Sequence, residues 1–264
     1  MGNYFFKVKY MDIKTLKWFT KFFTSLVERT KRLKQVQEMK KNMPWQEYRP
    51  EVDKEIKDWL KPLIDMADVN FVVQGQEKIP QNEAVIFTPN HAGAFDIPAI
   101  VLSAPNSPIF MAKKELGQVP FLKSWMDAVD CVFVDRSNKT SAHSSLQNAI
   151  EAVADGRSLV IFPEGTRSKT GELGEFRGGA MKIAMETGAK IVPVLIEGTR
   201  ARLEETGNIT AGTVYVTYLE PIETKGLTKE EFFEMPSKLR ALIQNERDRQ
   251  RAIAKNETNA EIIG

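Results

Sequence analysis

Three short stretches of the chain gather residue types that do chemistry together. The first is Asn90-His91-Ala92-Gly93-Ala94-Phe95-Asp96. A carboxylate that accepts from Nδ1–H fixes an imidazole in one tautomer and leaves Nε2 as a base near neutral pH. Residues five apart on a continuous helix point about 140° away from each other, so a His91–Asp96 contact needs a turn, which Gly93 and its small neighbours allow. Two plainer readings stand beside this one. Asp96, just ahead of Ile97-Pro98, suits a helix N-cap, and a histidine near a strand end can be purely structural. The chain has no Gly-x-Ser-x-Gly elbow, and Cys131 sits in the apolar run Asp-Cys-Val-Phe-Val, where a buried, inert thiol is expected. A base at His91 would therefore act on a substrate hydroxyl.

The second stretch is Phe162-Pro163-Glu164-Gly165-Thr166-Arg167-Ser168, at the end of the apolar run from Ser158. Glu-Gly-Thr-Arg there suits gripping a phosphate and a hydroxyl together: Arg167 offers a planar donor fork and Gly165 allows close backbone approach. A loop salt bridge is the alternative. Further on, Phe176-Arg177-Gly178-Gly179-Ala180 leads into a helix at 180–187. The free N–H groups around Gly178 and Gly179 suit an anion or a developing oxyanion. The third stretch is Val132-Phe133-Val134-Asp135-Arg136. With Lys113 and Lys114, which follow the run Ile109–Ala112, it sends cations toward one place, as a phosphate would require. Each of them taken singly is also an ordinary solvated charge.

The elements that must carry these stretches alternate. Apolar, β-branched runs fall at Val69–Val73, Ala84–Thr88, Ile109–Ala112, Val132–Asp135, Leu159–Phe162, Ile191–Ile196 and Thr213–Leu219. Helical stretches lie between many of them, at about 97–104, 117–128, 140–155 and 178–187, with a long polar one at 228–255. Near-continuous apolar strands in such alternation predict an α/β fold. Its single sheet of about seven mostly parallel strands is covered by helices on both faces. Reactive residues in these sheets collect in the turns after the carboxyl ends of strands, where all three stretches lie.

Ahead of this body, residues 1–41 hold eleven Lys/Arg against three acids, while the whole chain carries only +2. A basic leader thus precedes an acidic body, and an anionic partner is expected for it. Ile13, Leu16, Phe19, Phe22, Phe23, Leu26, Val27 and Leu33 recur at helical spacing, with Lys14, Lys17, Lys21 and Arg32 opposite and Trp18 at the border. Such a helix suits a membrane interface, with Lys14, Lys17, Lys21, Trp18, Phe19, Phe22 and Phe23 as contacts; the same face could equally pack on the body. Nucleic acid is a poor fit, because the aromatics lie opposite the lysines instead of between them. Pro44 and Pro50 are expected to break this helix before a second one at about 52–66. The division is then residues 1–67, amphipathic helices, and 68–264, the α/β domain.

With 42% apolar and 27% charged residues, the 264-residue chain is neither disordered nor collagen-like. No apolar run approaches the roughly 18 residues of a spanning helix. One cysteine makes no internal disulfide and two histidines build no zinc cluster, so no metal is expected. The first residues lack a signal-peptide pattern, and Phe6 argues against myristoylation at Gly2.

In this order the stretches resemble the glycerolipid acyltransferase family, in particular its lysophosphatidate (1-acylglycerol-3-phosphate) acyltransferase branch. Asn90-His91-x4-Asp96 is similar to that family's first block and Phe162–Ser168 to its third, while Cys131–Arg136 resembles the second and Ile191-Val192-Pro193-Val194 the fourth. Lys113-Lys114-Glu115-Leu116 and Phe176–Ala180 also look like family features. Cys131 departs from the second block, where glycine is usual, and Gly179 after Gly178 is a milder variation. The resemblance covers about residues 70–220.

It implies direct transfer without an acyl-enzyme. His91, oriented by Asp96, would deprotonate the sn-2 hydroxyl of lysophosphatidate for attack on an acyl-CoA or acyl-carrier-protein thioester, giving phosphatidate. Lys113, Arg136 and Arg167 would hold the phosphate, and Glu164, Gly165 and Thr166 would position the acceptor. No cofactor is implied beyond the thioester co-substrate. Met111, Leu116, Phe121 and Trp125 would be candidates for an acyl-chain tunnel. The expected place is peripheral, on the cytoplasmic face of the cell membrane against anionic phospholipid. Other acceptors (glycerol 3-phosphate, another lysophospholipid, an unphosphorylated alcohol) remain in competition. So does a non-catalytic lipid-binding module. A metal-dependent phosphatase fits poorly, since no carboxylates cluster about the histidine.

Overall fold

The computed structural model describes residues 11–105, 108–119, 121–135 and 139–263. Gly2 and Arg136, weighed above, and Lys7 and Lys9 of the basic leader lie outside these. In chain order the helices are α1 (Ile13–Glu28), α2 (Thr30–Asn42), α3 (Trp45–Ala67), α4 (Asp96–Ser103), α5 (Leu122–Ala128), α6 (Lys139–Ala154), α7 (Gly179–Thr187), α8 (Thr199–Leu203) and α9 (Lys229–Ile263). The strands are β1 (Val69–Gln74), β2 (Val85–Pro89), β3 (Ile109–Lys113), β4 (Val132–Val134), β5 (Leu159–Val160), β6 (Lys190–Glu197) and β7 (Gly212–Tyr218).

The seven strands form one sheet in the order β1-β7-β6-β2-β5-β3-β4. From β6 to β4 every neighbouring pair is parallel. β7 runs antiparallel to β6 and takes β1 with it in the reverse direction. The central strands are almost wholly apolar, β2 and β5 being buried at every position, because helices cover both faces. One face packs Phe87, Val160, Val192 and Val194 against Phe95, Ala99 and Ile100. The other packs Ile86, Leu159 and Ile191 against α6, α7 and α9, through Ala149, Val153, Ile183, Leu239 and Ile243.

The leader differs from its expected form in two respects. The apolar stripe bends at Arg29, which separates α1 from α2, and Pro50 does not end a helix but lies inside α3, which starts at Trp45. A proline removes one intrahelical donor, and here the burial of Tyr48, Val52 and Leu63 on the same helix outweighs that loss. The face of α1 is divided. Trp18, Phe19, Phe22 and Leu26 turn toward the body: Trp18 donates to Leu63 O at 2.7 Å and meets Phe22 and Phe95, while Leu26 joins Tyr48, Val52 and Trp125 in a small core. Leu16 (54% exposed), Phe23 (43%) and Val27 remain on the outside with Lys17 and Lys21. Lys14 pairs with Asp68 at 2.5 Å. Among the described residues no helix is long and apolar enough to cross a membrane.

Candidate active site

Because β2, β5, β3 and β4 are parallel neighbours, the turns that follow them leave from one edge of the sheet. This brings the first stretch, after β2, beside the second, after β5, with Lys113 at the end of β3. Asn90 anchors the first turn. Its buried amide donates to Ile196 O at 2.9 Å and accepts from Ile196 N at 2.7 Å, continuing the β2–β6 pairing one residue past the strand with a side chain.

The turn then brings His91 Nδ1 to 2.6 Å from Asp96 Oδ2. Asp96 is fully buried and opens α4, with Phe95 in the cap position. Its carboxylate does not cap the helix. Oδ2 accepts instead from the backbone N–H groups of Ala92 and Gly93, at 2.8 and 2.9 Å, as well as facing the imidazole. The loop is thus tied to the atom that orients the ring. Gly93 is required by close approach: a Cβ there would meet Glu204 Oε2 at 2.8 Å and the Thr199 carbonyl at 2.9 Å. The imidazole stacks on Phe162, with centroids 4.0 Å apart and planes 24° apart. One edge is held by Asp96, one face by Phe162, and the His91 side chain keeps 18% exposure.

Glu164 is held by backbone amides on both oxygens. It is only 6% exposed; Oε1 accepts from His91 N at 2.8 Å and Oε2 from Gly174 N at 2.9 Å. With both oxygens engaged by backbone amides, this side chain braces the histidine from behind. Gly165 makes the tight turn, donating to Phe162 O, and Thr166 is exposed beside it. Ser168 N donates to His91 O at 2.8 Å, a further tie between the two turns.

Arg167 is ion-paired. Its Nη1 lies 2.6 Å from Glu204 Oε1, which also accepts from Ala94 N at 2.8 Å. Burial pushes the Glu204 carboxyl above the usual carboxylate range, against the opposing pull of the Arg167 charge and the Ala94 amide. The cationic edge is accordingly less strongly positive than a count of Lys and Arg suggests: Arg167 shares its charge with Glu204, and Lys114 pairs with Asp135 at 3.0 Å. Lys113 is half-buried. Gly178 caps α7 in open space, and Gly179 approaches the Ile161 side chain just past β5, so the start of this helix borders the same edge. The four apolar tunnel candidates do not share one wall. Met111 packs with the α6/α7/α9 face and Trp125 with the N-terminal helices, while Leu116 and Phe121 are exposed. His143 is exposed on α6.

Sequence reasoning missed Asn90 as an anchor, Phe162 as the stacking partner and Glu204 altogether. Asn90 and Phe162 stood inside the quoted stretches. Glu204 is 110 residues from the amide it accepts and had no local signal.

Residues 70–197 match the family described as Acyltransferase. The chain is 36% identical over 141 residues to the 1-acyl-sn-glycerol-3-phosphate acyltransferase of Borreliella burgdorferi, covering 53% of this chain and 56% of that protein. It is 34% identical over 179 residues to the enzyme of the same name from Saccharomyces cerevisiae, covering 66% of this chain and 59% of that one. The chain therefore spans somewhat under two thirds of the length of these relatives. The crystal structure of the 1-acyl-sn-glycerophosphate acyltransferase PlsC from Thermotoga maritima superposes with a TM-score of 0.75 at 28% identity, covering 91% of this chain and 97% of that one. The His–Asp turn and its neighbours on one sheet edge thus lie within the stretch, residues 70–197, that is similar to the Acyltransferase family.

Proposed function

We propose that the protein transfers an acyl chain from a thioester to the sn-2 hydroxyl of 1-acylglycerol 3-phosphate, giving phosphatidate. The observation that carries this reading is the 2.6 Å His91–Asp96 contact beside the Glu-Gly-Thr-Arg turn. Nε2 of His91 takes the proton of the acceptor hydroxyl as its oxygen attacks the thioester carbonyl. The tetrahedral oxyanion collapses and expels the thiolate, which takes the proton back. Asp96 stabilises the imidazolium that forms in between. A positioned base supplies about 10²–10⁴ in rate, so fixing hydroxyl and thioester against each other must supply much of the remainder.

Lys113, Arg136 and Arg167 receive the acceptor phosphate, with Arg167 exchanging part of its Glu204 pairing for it. The N–H groups about Gly178 and Gly179 face the thioester oxygen or another anion of the substrates. The donor is acyl-CoA or acyl carrier protein, and no other cofactor takes part. The protein works peripherally at the cytoplasmic face of the membrane, with Leu16, Phe23 and Val27 of α1 entering the lipid and Lys17 and Lys21 meeting anionic head groups.

Purified protein incubated with lysophosphatidate and either donor, with phosphatidate read by mass spectrometry, tests the reaction. Product is expected, and His91→Ala should abolish it while phospholipid binding persists. Product from glycerol 3-phosphate alone would transfer the proposal to that acceptor, and full turnover by His91→Ala would end it. Leu16→Glu combined with Phe23→Glu should release the protein from phosphatidylglycerol vesicles; retained co-sedimentation would refute the docking face.

A further inference from the structure

The segment between the second stretch and α7 passes close under the C-terminal helix, which lies beyond the family domain. Arg240 of α9 forks onto it: Nε donates to Gly174 O and Nη2 to Leu173 O, both at 3.0 Å. Leu173 and Phe176 are buried with Phe232, Met235, Leu239 and Ile243 of α9, so segment and helix share an apolar contact under the fork. Gly174 also donates its own N–H to Glu164 Oε2, and Glu164 Oε1 accepts from His91 N. One peptide unit on either side of Gly174 therefore joins the guanidinium to the carboxylate that braces the histidine. The approach is so close that a Cβ on Gly174 would stand 2.9 Å from Glu164 Oε2. Arg247 and Arg251 of the same helix approach Glu172 at 3.7 and 3.6 Å, adding charge but no comparable fork.

We propose that Arg240 is a positioning residue for acyl transfer, setting the depth of His91 in the site through Gly174 and Glu164. The inference rests on His91 being the base proposed above. The physical argument is one of rigidity. A planar guanidinium bonded to two successive carbonyls fixes both position and tilt of that peptide segment. Among the described residues the Glu164 carboxylate is held by backbone amides alone, so it moves with Gly174. His91 has its ring pinned by Asp96 and Phe162 and its main chain by Glu164. Loosening the main chain while the ring stays pinned tilts Nε2 relative to the bound hydroxyl, and misplacement of about 1 Å can cost on the order of 100-fold in rate.

The test compares wild type, Arg240→Ala, Arg240→Lys and His91→Ala as full-length proteins. Arg240→Ala should lower kcat about 10–100-fold, with KM for lysophosphatidate within about twofold and a cooperative thermal transition retained. Lysine can reach one carbonyl but not both, so Arg240→Lys should recover part of the loss. The chain has two histidines, and His143→Gln assigns their ring resonances; the His91 Hε1 cross-peak should move in Arg240→Ala and return toward its place in Arg240→Lys. Unchanged kcat in Arg240→Ala, or a loss of kcat with the His91 cross-peak unmoved, overturns the inference. So does a loss that merely follows the unfolded fraction. An active His91→Ala would instead sink the reading beneath it, whereas an inactive His91→Ala beside a fully active Arg240→Ala sinks this inference alone.

Discussion

Asp96→Asn is the substitution that weighs the proposed chemistry most directly. Asparagine has the same shape, and its amide oxygen can sit where Oδ2 does, still accepting from Ala92 N and Gly93 N, as the carboxylate does at 2.8 and 2.9 Å. What disappears is the negative charge facing the ring. As the acceptor hydroxyl loses its proton, His91 becomes an imidazolium whose charge lies roughly 4 Å from that of the carboxylate, a pairing of about 4 kcal/mol at an effective permittivity of 20. At about 1.4 kcal/mol per tenfold, kcat should fall about 10³-fold, with KM for both substrates little changed, because neither substrate touches residue 96. Converting two charge-assisted backbone bonds to neutral ones costs about 2 kcal/mol of stability, which urea unfolding measures separately. Turnover is followed by thiol released from acyl-CoA and by phosphatidate formed. A folded Asp96→Asn protein within tenfold of wild-type kcat would refute the role of the carboxylate, and with it the assignment of His91 as base.

Glu164→Gln should lower kcat and leave KM for lysophosphatidate alone, since an amide can accept from only one of His91 N and Gly174 N and presents a donor to the other; a raised KM with intact kcat would return this residue to the acceptor. Glu204 gives a pH signature. Its carboxyl is raised chiefly by burial, so across the window between the ordinary and the raised value the folded state binds more protons than the unfolded state, and stability falls as pH climbs. Glu204→Gln should remove that slope in urea titrations begun near the ordinary carboxylate value of about 4.3 and carried upward, and an unchanged slope would contradict it. Burial pushes the Cys131 thiol up to about 12; iodoacetamide should therefore label the native protein only as fast as it unfolds, and rapid labelling at mildly alkaline pH would show the thiol to be open.

Much of the scaffold was readable because it obeys local rules. All seven strands appear within two residues of the apolar runs that announced them, since strands buried on both faces must be apolar along their length. The reactive turns were readable for the same reason: they begin where those runs end. What sequence could not supply was the partner of each polar group. Glu164 in Glu-Gly-Thr-Arg has the composition of a ligand, yet its oxygens go to amides 73 and 10 residues away, and a backbone amide has no letter in the sequence. Arg167 read as a cation seeking phosphate because Glu204, its partner, is 37 residues on. The leader illustrates a different limit. Periodicity located α1, but a stripe that wide does not say which part another helix covers. The division between Trp18, Phe19 and Phe22 inside and Leu16, Phe23 and Val27 outside is decided by where α3 happens to pass.

Contrary to the expectation that no carboxylates cluster about the histidine, two of them flank His91, though among the described residues no group of His, Cys, Asp and Glu could hold a metal ion. Asp96 and Glu164 are both buried acids, and both accept from the backbone of the same turn. Only Asp96 also reaches the ring. A loop with no regular hydrogen bonding of its own would ordinarily be among the more mobile parts of an enzyme. Here its successive amides at His91, Ala92 and Gly93 go to Glu164 and Asp96, and that at Ala94 goes to Glu204. Three acids thus replace the missing strand or helix partners of four consecutive peptide groups. Two of the three are themselves held from outside the turn: Glu164 by Gly174, and Glu204 by Arg167. In the proposed reaction, the acids that grip this loop are spent on immobilising the base, which leaves recognition of an anionic acceptor to the cations and N–H groups around it.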